Sequence, residues 1–354
     1  MIISIVGARP QFVKAAVVSK AFRENGIPEK IVHTGQHYDT RMSEVFWTEL
    51  GLPSYDINLE VGSGSHGKQT ALMIEKIESY LLACDPLPRA ILLYGDTNST
   101  IAGAIAASKI HIPIIHVEAG LRSFNRRMPE EINRIVTDHL SEILFCSSDS
   151  PVNQLETEGI TKGVYEVGDV MYDAMATFSE IAKSKINLTD VIPFPEGDFA
   201  LATIHRPSNT DNIDNLNSIL SAIAEIGMPC IWPVHPRNKK KIAELDLPSN
   251  LYPVEPVSYL EMLILLSHCT KVFTDSGGLQ KEAYWMKKPC ITLREETEWI
   301  ETLENGWNVI TGSNKSAILD AANNPPDPDS WKPVYGDGRA SVRIAEIVKK
   351  QYAY

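Results

Sequence analysis

The sequence predicts an α/β protein built from two doubly wound domains, and three observations carry that expectation. Short apolar runs rich in β-branched residues alternate with segments of helical period along all 354 residues, the pattern of repeated βαβ units and mostly parallel sheets. The length suffices for two domains of ordinary size, each with its own core. Polar, chemically versatile residues stand just past the ends of the apolar runs in both halves, where open α/β sheets bind ligands.

In the first half the expected strands are IISIV (2–6), KIVHT (30–34), AILLYG (90–95), PIIHV (113–117), ILFCS (143–147) and VYEVG (164–168). In the second half they are FALATI (199–204), CIWPV (230–234), NLYPV (250–254), KVFTDS (271–276) and PCITL (289–293). Amphipathic segments such as IDNLNSILSAIAEIG and SYLEMLILLSHC lie between them, and RASVRIAEIVKKQYAY reads as a final helix. Pro, Gly and Asp interrupt INLTDVIPFPEGD, so an interdomain connection is expected near 168–198.

Composition narrows the function classes. Hydrophobic content of 44% with 22% charged residues describes a soluble globular chain. A net charge of −12 argues against broad nucleic-acid or anionic-membrane binding. The opening IISIV is too short for a signal sequence, and no segment approaches membrane-spanning length. Five scattered cysteines (Cys84, Cys146, Cys230, Cys269, Cys290) form no C-x-x-C pair. They suit reduced thiols in a cytoplasm better than a disulfide framework or a zinc site.

The strand ends are the informative feature. IISIV runs into Gly7-Ala8-Arg9-Pro10 and KIVHT into Gly35-Gln36-His37, while later strands end at Asp96, Glu118, His205, His235 and Ser276. Any one of these reads equally well as a helix cap or loop residue, Asp96 and Ser276 above all. Together they imply one composite site in the cleft between the domains. Ser276-Gly277-Gly278 opens a helix whose free N–H groups can hold a phosphate, or it is merely a glycine cap. Glu282, one turn on, suits ribose hydroxyls or the helix dipole. Arg9, Lys14 and Arg237 can neutralise a diphosphate, the alternative being solvated surface charge. GSGSHG (62–67) matches the dinucleotide-loop spacing, but it follows a poor strand and no acid stands at the right distance.

In PEEINRIVTDHLSEI (129–143), Ile132, Ile135, Val136, Leu140 and Ile143 recur at helical spacing, with Pro129 at the first helical position. Glu130 and Arg134 stack at i, i+4, and Glu131 reads as a first-turn acid favouring the dipole. Asp96, Glu118, Glu130 and His205 are the candidate acid and base groups.

VGARPQFVKAA, TGQHYD, YGDTNST, HVEAGLRS, MPEEINR, GDVMYD, PVHPR, TDSGGLQKEA and YGDGRAS occur in an order that resembles the non-hydrolysing UDP-N-acetylglucosamine 2-epimerases, across essentially the whole chain. The resemblance implies a GT-B-like fold of two Rossmann-like domains with an interdomain cleft. The expected division is 1–168 with the C-terminal helix 338–354, and 169–337 as the UDP-binding domain. It implies a reaction without nicotinamide or metal, in which UDP is eliminated to a glycal and re-added with inversion at C2. Asp96, Glu118 and Glu130 match the family's catalytic carboxylates and His205 its essential histidine. Arg9, Lys14, Gln36, His37, His235, Arg237, Ser276, Gly277, Gly278 and Glu282 are the corresponding UDP-sugar-binding candidates.

The chain departs from the family's common GTRPE, HRRE and ERPE with GARPQ, His205-Arg206-Pro207-Ser208 and Glu298-Trp299-Ile300-Glu301. These variants resemble the subgroup acting on UDP-2,3-diacetamido-2,3-dideoxyglucuronate in O-antigen synthesis, with Arg126 or Arg127 the candidates for holding a C6 carboxylate. A cytoplasmic homodimer acting on a UDP-sugar, with no nucleic-acid or membrane partner, is expected. A GT-B UDP-sugar glycosyltransferase is the alternative activity, and a UDP-sugar sensor the non-enzymatic one.

Overall fold

The computed structural model describes residues 1–36, 55–235, 238–243 and 245–353. The chain divides into two compact units, Met1–Ala176 with Tyr335–Tyr354, and Thr177–Val334.

The first unit holds a sheet of seven strands in the order β3-β2-β1-β4-β5-β6-β7, every pair parallel. The strands are β1 (Ile2–Val6), β2 (Glu29–His33), β3 (Ile57–Asn58), β4 (Ala90–Tyr94), β5 (Ile114–Val117), β6 (Ile143–Cys146) and β7 (Val164–Glu166). Parallel sheets are covered on both faces, so their inner strands read as unbroken apolar runs. Ala90-Ile91-Leu92-Leu93-Tyr94 is accordingly buried at every position. Met73, Ile77 and Leu81 from the helix His66–Leu82 pack with Ile3, Ile5, Ile91 and Leu93 into one core. The strand order reverses between β1 and β4, which places the loops after both at the topological switch point where such sheets bind ligands.

The C-terminal helix Ala340–Tyr352 belongs to this unit and packs on the helix Arg9–Glu24. Asp173 anchors its start, accepting the N–H groups of Ala340 (3.0 Å) and Ser341 (2.6 Å) and the Ser341 hydroxyl (2.6 Å). First-turn N–H groups have no partner within a helix, and this carboxylate supplies one.

The second unit winds in the same way. Its six parallel strands run in the order β10-β9-β8-β11-β12-β13, with β8 (Ala200–Thr203), β9 (Cys230–Pro233), β10 (Leu251–Val254), β11 (Lys271–Thr274), β12 (Cys290–Thr292) and β13 (Asn308–Ile310). The reversal here falls between β8 and β11. Leu216, Ile219, Leu220 and Ile223 turn one face of the helix Ile213–Ile226 onto Trp232 and Phe273. Asn212 caps that helix through the N–H groups of Asp214 and Asn215 (3.0 and 3.2 Å), and left-handed Gly227 ends it. Among the described residues no helix is long and apolar enough to cross a membrane.

Candidate active site

In the first unit the residues that follow β1, β4 and β5 converge. Gln11 is buried and works as a brace. Its oxygen accepts the N–H groups of Gly7 (2.8 Å) and Ala8 (3.0 Å), and its amide nitrogen reaches the Tyr94 carbonyl (2.8 Å). The turn after β1 is thereby fixed to the end of β4. From the same helix, buried Lys14 forms an ion pair with Glu118, so it is not the solvated surface charge held open above. Glu118 adopts a left-handed backbone with φ 69°. That conformation is costly for a residue with a side chain and is kept where the surroundings impose it. Lys14, Glu118, Ser147 and Asp169 line one small cavity. Within it the buried Ser147 hydroxyl has no hydrogen-bond partner among the described residues.

Asp96 does not cap the helix that follows it. That role falls to Thr97, whose hydroxyl accepts the N–H of Thr100. The Asp96 carboxylate is instead held by Arg134 at 2.5 Å, and its carbonyl accepts the Asn133 amide at 2.8 Å.

The helix Pro129–Leu140 corrects three expectations. Its apolar stripe does not face the core: Ile132 is 41% and Leu140 38% exposed, while Glu131, Asn133, Arg134, Thr137 and Asp138 are buried. The polar face turns inward because fixed partners await it there. Arg134 steadies Asp96 and Glu131 (3.3 Å) rather than Glu130. Glu131 is not a plain first-turn acid, since it accepts the Ser123 N–H (2.8 Å), the Ser123 hydroxyl (2.9 Å) and the Phe124 N–H (3.0 Å). Burial pushes its carboxyl up, but those hydrogen bonds and the Arg134 charge outweigh it and hold Glu131 below its usual range. Glu130 is exposed, as are Arg126 and Arg127 on the turn that Glu131 secures. Gln36 has its oxygen engaged by the N–H (3.1 Å) and hydroxyl (2.7 Å) of Ser99. His37, Arg237 and the side chain of Arg9 lie outside the described residues.

In the second unit His205 follows β8, and Asp275 with Ser276 follows β11, the adjacent strand. Asp275 is fully buried and accepts the N–H groups of His205 (3.0 Å) and Arg206 (2.9 Å) and the Asn209 amide (3.1 Å). It also lies 3.1 Å from His205 Nδ1, which fixes the ring and leaves Nε2 as its outer nitrogen. The His205 and His235 rings lie roughly parallel with centroids 6.4 Å apart.

Ser276 occupies the N-cap position of the helix Gly277–Trp285, yet its hydroxyl does not cap it. Beside Gly278 the space is open, and Glu282 is buried one turn on. Gly277 is crowded: a Cβ there would lie 2.7 Å from Glu298 Oε1, 3.6 Å from Trp299 Nε1 and 3.7 Å from Arg294 Nη1. Those last two buried donors have no partner among the described residues, and orphaned buried donors of this kind mark polar sites. Glu298 pairs with Arg294 at 3.0 Å; burial raises its carboxyl, but the charge and hydrogen bond of Arg294, a backbone N–H and the Arg206 charge together outweigh that and lower it.

Asp275, Gln11, Arg294, His116 and Asp138 join the candidate site without standing out in the sequence as candidates. Asp275 had the plainest signal, an acid at the very end of KVFTD.

Two doubly wound halves, with a basic-acidic cluster at one switch point and a carboxylate-held histidine beside a glycine-opened helix at the other, define a GT-B-like α/β enzyme. The chain belongs to the UDP-N-acetylglucosamine 2-epimerase family, whose model matches residues 20–349; enzymes of this family are isomerases. It is 48% identical to a UDP-N-acetylglucosamine 2-epimerase homolog of Methanococcus maripaludis, over 98% of this chain and 99% of that one. It is 46% identical to the UDP-2,3-diacetamido-2,3-dideoxy-D-glucuronate 2-epimerase of Pseudomonas aeruginosa, over 99% of both. The crystal structure of Methanocaldococcus jannaschii UDP-GlcNAc 2-epimerase in complex with UDP-GlcNAc and UDP superposes with a TM-score of 0.87 at 40% identity, over 99% of this chain and 100% of that one.

Proposed function

We propose that the protein inverts C2 of a UDP-2-acetamido sugar. A base removes the C2 proton, the C1–oxygen bond breaks, and UDP leaves with that electron pair to give a 2-acetamidoglycal. UDP then re-adds at C1 while a proton is delivered to the opposite face of C2. The observation that supports this best is the placement of Asp96 and Glu118 after adjacent strands, each held by its own cation, Arg134 and Lys14. Two carboxylates fixed separately suit a reaction that takes a proton from one face and returns it to the other. Glu130 is the third carboxylate in this reading. The Ser276-Gly277-Gly278 helix start and His205 take the diphosphate, stabilising charge as UDP departs.

For the finer substrate we favour a nucleotide sugar with a C6 carboxylate. Arg126 and Arg127 stand exposed on a turn that Glu131 fixes to the helix holding Asp96, and a relative at 46% identity is named for such a substrate. Neutralising both should raise KM for the diacetamido-glucuronate nucleotide and leave that for UDP-GlcNAc unchanged. We further propose a homodimer, with a second copy covering the exposed Ile132 and Leu140 face, and a cytoplasmic setting in keeping with five unpaired cysteines. Charged substitutions at both apolar positions should leave a monomer by sedimentation.

The test of the reaction is the intermediate. Glu118→Gln incubated with either nucleotide should slow re-addition and release UDP together with the glycal, seen by mass spectrometry. UDP release with the intact sugar hydrolysed, or only in the presence of an acceptor, would contradict the reading.

A further inference from the structure

His116 lies on β5 two residues before Glu118 and is fully buried. Its Nδ1 is 2.7 Å from Asp138 Oδ1, and its Nε2 is 2.8 Å from the Gly95 carbonyl. Both neighbours only accept, so the geometry assigns a hydrogen to each ring nitrogen and a positive charge to the ring. Gly95, itself left-handed at φ 60°, directly precedes Asp96. The second oxygen of Asp138 accepts the N–H of Gly120 at 3.1 Å, two residues beyond Glu118, and Arg122 Nη1 at 2.6 Å. Arg122 then closes on Glu158 with bonds of 2.8 and 2.7 Å. Along this chain the charges alternate and sum to zero, which a buried ionic network requires.

We propose that His116, held as an imidazolium between Asp138 and the Gly95 carbonyl, is a positioning residue that sets the placement of Asp96 relative to Glu118. The proposal rests on the epimerase reading of those two carboxylates. A single ring reaches the strand end that carries one of them, and through Asp138 the turn that carries the other. Since misplacement by about 1 Å can cost about 100-fold in rate, such a clamp has consequences for turnover.

Other charged and titratable groups around the ring are accounted for. On the β4 side the Lys14–Glu118 ion pair stands beside Gly95. On β6, the Cys146 thiol is pushed up to about 12 by burial, then by the Asp138 and Glu166 charges, and is neutral. Burial raises the Asp138 carboxyl, but its bond to His116 and the charges of His116 and Arg122 outweigh this and hold it low. Glu158 is lowered first by its hydrogen bonds from Arg122, and His139 lies 4.0 Å from it.

The test uses the full-length enzyme and C2 deuterium exchange. His116→Gln removes one positive charge beneath the strand ends and leaves Asp138, Arg122 and Glu158 net negative. Turnover should fall about 10- to 100-fold with KM changed less than about threefold, and the acid limb of the pH profile should move to higher pH. The charge-balanced pair His116→Gln with Asp138→Asn should bring that limb back. An unshifted profile with normal turnover, or losses that simply add in the double variant, would overturn the proposal. Should the variants fail to fold, nitrogen-15 NMR of histidine-labelled wild type decides: both His116 nitrogens should carry hydrogen, and a singly protonated ring would overturn it. Absence of C2 exchange in the wild type would count against the epimerase reading alone, since the ring measurement needs no turnover.

Discussion

Arg134 reaches out of the helix Pro129–Leu140 to hold the Asp96 carboxylate at 2.5 Å, while its neighbour Asn133 binds the carbonyl of the same residue. The end of β4 is thus fixed twice by consecutive residues of one helix. A charge-assisted hydrogen bond contributes about 1.5–3 kcal/mol. Arg134→Met should therefore slow C2 exchange about 10- to 100-fold, and Arg134→Lys should recover part of the loss. Equal rates for Arg134→Met and wild type would show that Asp96 needs no such support.

Glu131 makes a pH-dependent contribution to stability. Its folded-state carboxyl is held below the ordinary value, so the stabilisation is complete above the unfolded-state range, about pH 4.3. It fades as pH falls through the lower folded-state value. Glu131→Gln should destabilise the protein by about 1–3 kcal/mol at neutral pH. In urea melts the gap to wild type should narrow under strongly acidic conditions. A gap that widens as the pH falls would contradict the sign.

Asp275 and His205 form one functional unit. The buried carboxylate fixes the ring through Nδ1 at 3.1 Å. Asp275→Asn should lower turnover about 100-fold, and in a background of His205→Asn it should cost little more, because both changes disable the same group. Additive losses would show that Asp275 acts elsewhere.

The open space beside Gly278 separates ligand effects from folding effects. A Cβ there meets nothing within 4 Å, so Gly278→Ala should leave thermal stability unchanged. If UDP approaches the helix start there, calorimetry should show its binding weakened at least about 10-fold, equivalent to about 1.4 kcal/mol. Gly277→Ala, crowded against Glu298, should lose both stability and affinity. Unchanged UDP affinity in Gly278→Ala would place the diphosphate elsewhere.

Strand positions and their polar ends were legible because inner strands of parallel sheets are unbroken apolar runs, as Ala90–Tyr94 illustrates. The short edge strands β3 (Ile57–Asn58) and β13 (Asn308–Ile310) each include a polar residue and present no unbroken apolar run. The helix Pro129–Leu140 misled for a physical reason. Amphipathic periodicity assumes that the apolar face turns inward, and here ion pairs to Asp96, Arg122 and His116 bury the polar face instead. Those partners stand outside the helix, so its own periodicity does not contain the signal. Asp275 stood in plain view as the acid ending KVFTD, but its role was not legible, since its partners His205, Arg206 and Asn209 belong to the neighbouring strand end.

Hydrogen exchange at C2 tests the central claim most directly. Wild-type enzyme in deuterated water, given UDP-GlcNAc or its 2,3-diacetamido-glucuronate analogue, should place deuterium at C2 of both epimers of the accepted nucleotide, with Asp96→Asn and Glu118→Gln slowed about 100-fold or more. Epimers formed without deuterium, or no exchange with either nucleotide, would contradict the account.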